Sequence, residues 1–335
     1  MNTVSHGEHR ELRLGTRGSQ LALWQANTVA QRIAAAGGPA CRIVVIKTSG
    51  DVLQSTPLSQ VGGKRLFVKE IEDALLRGDV DLAVHSSKDM PAVLPPGLAI
   101  AGVLPREEPL DAIVLPVRGE GRGQGARLDD VVAALGHAPS IGTGSVRRIA
   151  QLTRLFPDAR FTPIRGNLDT RLRKLDEGAH DALVLAAAGL RRLGFGHRIS
   201  LAMPADACIP APGQGIVAIE IRDGDARVRD AVARIDDAAA AAALLAERAL
   251  VEALGGGCQT PVGALASPVD GGQLELVAGV FALDGSRAVR GRARAARDEA
   301  AALGARVGAQ LLRDGAGEIL AEAARSQGAV EGIQP

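Results

Sequence analysis

The segment Gly255-Gly256-Gly257-Cys258-Gln259-Thr260-Pro261 puts a thiol on a glycine run closed by proline. Free cysteines usually lie buried, whereas reactive ones occupy accessible places where nearby positive charge favours the thiolate. Cys258 therefore reads in two ways: it holds something covalently, or the glycines serve a turn and the thiol is incidental. A second segment, Asp81-Leu82-Ala83-Val84-His85-Ser86-Ser87-Lys88-Asp89-Met90-Pro91, brings Lys88 and Asp89 directly after an apolar strand pattern, where α/β sheets place their ligands. The alternative is a strand-end ion pair in which Asp89 caps a turn.

Arginines form the third candidate group. Leu14-Gly15-Thr16-Arg17-Gly18-Ser19 and Ile141-Gly142-Thr143-Gly144-Ser145, the latter followed by Val146-Arg147-Arg148, share one plan: strand, glycine turn, hydroxyl, helix. Free amides and the positive end of the helix dipole make such a turn an anion site. Simple N-capping by Ser19 or Ser145 explains either one alone; the pair, each with arginine at the turn, favours two facing anion sites. Arg165-Gly166-Asn167-Leu168-Asp169-Thr170-Arg171 and Arg191-Arg192 again follow strand patterns. Arg17, Lys88, Arg147, Arg148, Arg165, Arg171 and Arg192 thus all fall at strand-to-helix junctions. They suit a polycarboxylate or polyphosphate held between domains, with Asp89 a lone acid kept ionised by its cationic surroundings.

The elements that must position these groups read as α/β. Short apolar runs ending in glycine or polar turns alternate with helical patterns, which predicts mostly parallel strands. Strands are expected at 13–15, 43–47, 82–85, 113–115, 140–142, 160–164, 182–185 and 217–221, and helices at 20–36, 69–77, 146–155 and 168–177. Beyond Asp236 an alanine-rich helix to about Leu254, three alternating strand patterns and two helices form a separate α+β unit carrying Cys258. The 335 residues are too many for one typical core.

Composition narrows the function classes. A net charge of +1 and an aromatic content of 2% disfavour nucleic-acid binding, which needs a basic field and stacking platforms. Only Lys47, Lys64, Lys69, Lys88 and Lys174 are lysines, and GC-rich coding explains most of the arginine excess. Cys41, Cys208 and Cys258 offer neither metal spacing nor a disulfide framework, so no metal is expected. A polar amino terminus and the lack of a long apolar run predict a cytoplasmic protein without membrane contact.

Set in order, the motifs resemble the porphobilinogen deaminase family, also called hydroxymethylbilane synthases. The match runs from about residue 12 to 325 and includes Thr16 to Ala26, Val61-Gly62-Gly63-Lys64-Arg65-Leu66-Phe67-Val68-Lys69-Glu70, Ala83 to Pro91, Gly142 to Arg148, Arg165 to Arg171, Pro212-Gly213-Gln214-Gly215, Ala246-Glu247-Arg248 and Gly256-Gly257-Cys258-Gln259. The resemblance implies two periplasmic-binding-protein-like α/β domains around a cleft, 10–109 with 213–235 and 110–212, and a smaller α+β domain, 236–330.

It further implies a transferase of tetrapyrrole biosynthesis. Four porphobilinogen units would be added, with loss of ammonia through azafulvene cations, to a dipyrromethane cofactor held by thioether to Cys258. The linear tetrapyrrole hydroxymethylbilane would then be released by water. Asp89 is the implied catalytic carboxylate. The implied cofactor contacts are Arg17, Ser19, Lys88, Thr143, Ser145, Arg147, Arg148 and Arg165, and the implied substrate contacts are Arg17, Ser19, Phe67, Arg165, Arg171 and Arg192. A monomer handing its product to uroporphyrinogen-III synthase is also implied. Gln60, Gly144 and Gly255 depart from common family residues, and the 119–125 loop looks long. The rival from another class is a non-catalytic carboxylate-binding module of periplasmic-binding-protein type, which would need no reactive thiol.

Overall fold

A computed structural model describes residues 11–48, 68–117, 127–255 and 260–331, with side chains described to residue 326. In chain order, a first lobe contributes β1 (Leu12–Thr16), α1 (Gln20–Ala35), β2 (Cys41–Val45), α2 (Lys69–Leu76), β3 (Leu82–Ser86) and β4 (Leu98–Val103). The chain then crosses to a second lobe of β5 (Asp111–Val114), α3 (Leu128–Leu135), β6 (Ser140–Gly142), α4 (Val146–Leu152), β7 (Arg160–Thr162), α5 (Leu168–Asp176), β8 (Ala182–Ala186), α6 (Ala187–Arg192) and β9 (Leu201–Ala202). It returns to the first lobe for β10 (Val217–Arg222) and α7 (Ala226–Ala233). The last third holds α8 (Ala238–Ala253), β11 (Val262–Val269), β12 (Gln273–Phe281), β13 (Ala288–Ala296), α9 (Ala300–Leu311) and α10 (Gly317–Glu331).

Two five-stranded sheets repeat one plan, β2-β1-β3-β10-β4 and β7-β6-β8-β5-β9, and a three-stranded antiparallel sheet β11-β12-β13 completes the molecule. The expected class, two α/β lobes and a smaller α+β unit, is the one observed. The mostly parallel pairing expected is found in β2-β1-β3 and β7-β6-β8, and each of these sheets also takes one strand that runs against its neighbours. β10 runs antiparallel to both β3 and β4, and β5 antiparallel to both β8 and β9. Both are the strands by which the chain enters a sheet from the other lobe, so they insert head-on to the strands they meet. β4, β9, α3, α6 and α7 lie outside the expected elements, and the expected β7 is shorter than its pattern, ending at Thr162.

The pairing fixes where chemistry can occur. Val217 stands opposite Ser86 and Asp111 opposite Ala186, so each crossover meets its sheet at the carboxyl end of a central parallel strand. β3 and β8 are buried on both faces, which explains their continuous apolar runs and leaves their polar residues for the strand ends.

α8 belongs to two cores. Ala240 and Leu244 pack with Met90, Ile216 and Ala218 of the first lobe, while Ala246, Leu250 and Leu254 join Val262, Leu276 and Val280 of the last sheet. Its end is set by Gly255, whose φ of +69° and N–H bond to the Glu252 carbonyl give a left-handed cap that an acid would strain.

Candidate active site

The turn after β3 is a single 3-10 turn, Ser87–Asp89, that projects Lys88 and Asp89 beside the returning crossover. Lys88 Nζ donates to Gln214 Oε1 at 3.4 Å. Gln214 Nε2 in turn donates to Asp111 Oδ1 at 3.0 Å and to the Pro109 carbonyl at 2.7 Å. Burial pulls the Lys88 ammonium down to about 8, Asp89 opposes that fall, and Arg148 adds to it.

Asp111, the first residue of β5, is fully buried and draws the second lobe's arginines together. Arg148 donates to its Oδ1 from Nε at 2.9 Å and from Nη2 at 2.7 Å, and Arg147 Nη1 donates to Oδ2 at 2.6 Å. Burial alone would raise the Asp111 carboxyl, yet the two guanidiniums hold it well below the usual carboxylate range. Asp111 escaped the sequence reading because an acid heading an apolar strand looks like a strand boundary.

The expected anion turns form as capped helix starts. Ser19 Oγ accepts from Ala22 N at 3.3 Å at α1, and Ser145 Oγ accepts from Arg148 N at 3.5 Å at α4. Thr143 is buried, its Oγ1 accepting from Ser145 N. A Cβ at Gly144 would meet only an ordinary contact with Pro163. Arg17 is half-buried at the first turn.

Arg165, half-buried after β7, and Arg171 on α5 share one neighbourhood with Arg148. The Arg171 guanidinium is lowered first by burial and then by the charges of Arg148 and Arg165. Its Nε donates to the Gly166 carbonyl at 2.8 Å. Arg147 is placed differently from the expectation of a cofactor contact. Its Nη1 turns inward onto Asp111, the Ile209 carbonyl at 2.7 Å and Cys208 Sγ at 3.6 Å. Arg192 ends α6 with Nη2 donating to the Gly215 carbonyl at 2.6 Å and its guanidinium 5.6 Å from the centroid of the Trp24 ring.

The described thiols are poor nucleophiles. Burial pushes Cys208 up to about 12 and Cys41 up to about 11. Cys258, Phe67, Gln60 and the 119–125 loop lie outside the described residues. Among the described residues there is no group of three acids, histidines or cysteines able to hold a metal, and no helix is long and apolar enough to cross a membrane.

The family model described as "Porphobilinogen deaminase, dipyromethane cofactor binding domain" matches residues 12–230, and that of the C-terminal domain matches 241–313. The porphobilinogen deaminase of Geotalea uraniireducens is 44% identical over 93% of this chain and 95% of its own. The chain belongs to the porphobilinogen deaminase family. The deaminase of Moorella thermoacetica is also 44% identical, over 96% of this chain and 99% of its own. Among solved structures, the effector-binding domain of BenM with benzoate is similar at a TM-score of 0.41 and 14% identity, covering 67% of this chain and 90% of that one, too loose a likeness to bear on function. Membership in the deaminase family makes the protein a transferase with a dipyrromethane-binding domain, and sets aside the non-catalytic module.

The residues present suit that cofactor. Arg148 disfavours the charge of Lys88, and Arg148 with Arg165 that of Arg171, so carboxylates arriving among them relieve repulsion as well as form ion pairs. Asp111 supplies one negative charge to two arginines, Arg147 and Arg148.

Proposed function

We propose that the protein is a cytoplasmic, monomeric hydroxymethylbilane synthase. It condenses four porphobilinogen molecules, each losing ammonia, into hydroxymethylbilane, which passes to uroporphyrinogen-III synthase. The single observation that supports the site assignment is that Arg148 of the second lobe acts on the charge of Lys88, Asp89's neighbour in the first lobe, and also, with Arg165, on that of Arg171. When bound, dipyrromethane supplies the pyrrole carbon that extends the chain.

The protein's own residues do the rest. Cys258 tethers the cofactor. Arg17, Ser19, Lys88, Thr143, Ser145, Arg148 and Arg165 hold acetate and propionate groups, with Arg147 acting through Asp111 to fix Arg148. Arg165, Arg171 and Arg192, with Arg17, Ser19 and Phe67, receive incoming substrate. Asp89, half-buried beside Lys88, stabilises positive charge on pyrrole nitrogens and moves the proton released as each bond forms. Divided on this basis, the chain has domains at 10–109 with 213–235, 110–212, and 236–330.

Intact mass with peptide mapping tests the reading. The expected result is a dipyrrole adduct on Cys258 in protein that consumes porphobilinogen. An unmodified Cys258 in active protein rejects the tether.

A further inference from the structure

The last turn of α6 grips both crossovers. Arg191 pairs with Glu107 at 3.4 Å and Glu108 at 3.3 Å on the outgoing segment, while Arg192 takes the Gly215 carbonyl on the return. The same turn reaches the first lobe. Leu21 of α1 packs close to Gly189 of α6, and the Trp24 ring lies against the Arg192 guanidinium.

A guanidinium can use its flat face and its N–H edges at once, stacking on an aromatic ring while its fork pairs with a carboxylate. Among the described residues, the bond to Gly215 is the one hydrogen bond of the Arg192 guanidinium. Nε and Nη1 retain donors for a ligand. Burial also lowers Arg192, to about 10, which leaves it charged at neutral pH but poorly hydrated. A poorly hydrated cation gains more from a ring face than an exposed one does.

We propose that Trp24 is a positioning residue for substrate: its indole face and the Gly215 carbonyl together hold the Arg192 guanidinium so that its remaining edge takes one porphobilinogen carboxylate. The first lobe thereby completes a binding group that the second lobe supplies. The inference rests on the function proposed above, and its predicted effect falls on substrate capture. The bond-forming step, which belongs to Asp89, is left alone.

Trp24 is the single tryptophan of the chain, so the contact has its own optical signal. In cofactor-loaded protein, porphobilinogen should change Trp24 emission with a midpoint near KM, and Arg192→Leu should abolish the response. Trp24→Leu should raise KM about 3- to 30-fold with kcat within about twofold, the range a partly desolvated cation–π contact supports. Trp24→Phe should restore most of that loss. Trp24 is 37% exposed, so the leucine variant should keep its melting temperature to within a few degrees; should it unfold instead, Trp24→Phe and the emission titration still decide. Unchanged KM in Trp24→Leu, or an emission response that survives Arg192→Leu, overturns the positioning role while the enzyme's function stands. Wild-type protein that neither carries the adduct nor consumes porphobilinogen overturns both.

Discussion

Arg106 and Glu247, 141 residues apart in sequence, form a two-pronged ion pair, Nη1 to Oε1 at 2.6 Å and Nη2 to Oε2 at 3.3 Å. Glu247 lies on α8 and is fully buried; it also accepts the backbone N–H groups of Gly213 and Ala266. One carboxylate thus ties the outgoing crossover, the returning crossover and the last sheet to a single helix. Glu247→Gln leaves Arg106 sheltered without a counter-charge and should cost about 3–5 kcal/mol. Urea denaturation measures this; a loss under about 1 kcal/mol would mean the pair carries little of the inter-unit stability.

Asp111→Asn removes the charge that gathers Arg147 and Arg148 while keeping the shape. Two sheltered guanidiniums then repel each other, and the expected loss is about 3–5 kcal/mol together with incomplete cofactor loading. Intact mass reports the loaded fraction, and thermal melting the stability. Full loading at wild-type stability would show that Asp111 does not organise the cluster.

Lys88 carries a pH signature. Its folded value, about 8, lies below the ordinary 10.5, so folding disfavours its charged form. That penalty is present in full below pH 8 and is relieved as pH rises from 8 to 10.5. Lys88→Met should therefore stabilise the cofactor-free protein at pH 7, by about 1 kcal/mol, and progressively less toward pH 10. Melting temperatures across pH 6–10 should converge at the alkaline end, and parallel curves would contradict the shift.

Asp89→Ala should lower turnover by about 10²- to 10⁴-fold with the fold intact, since charge stabilisation and proton transfer are both removed. Single-turnover assays on loaded protein separate this from a failure to assemble cofactor. Near-normal single turnovers would reject the carboxylate role.

Much of the site was legible because its residues follow strands whose apolar runs are unmistakable. Lys88 and Asp89 after β3, Ser145 at α4 and Arg171 on α5 all stand where strand-to-helix turns put them. What stayed hidden depends on pairing across long separations. The inward turn of Arg147 is set by Asp111, 36 residues away, and nothing in the local pattern of α4 reveals it. The antiparallel entry of β5 and β10 was hidden for the same reason, since direction within a sheet depends on where the chain arrives from. β4 was missed because Leu98-Ala99-Ile100-Ala101-Gly102-Val103 carries an internal glycine and irregular burial, traceable to a register shift against β10 between Ile219 and Glu220.

The return of the chain to its first sheet also orders events during synthesis. β10 lies between β3 and β4, yet β4 ends at Val103 and β10 begins at Val217. At typical translation rates the missing middle strand follows its neighbours by about ten seconds. The second sheet draws all five strands from one continuous stretch and is complete before then. A nascent chain thus finishes its second lobe first, and until β10 emerges the edges of β3 and β4 are open to a chaperone or to a neighbouring chain on the same polysome.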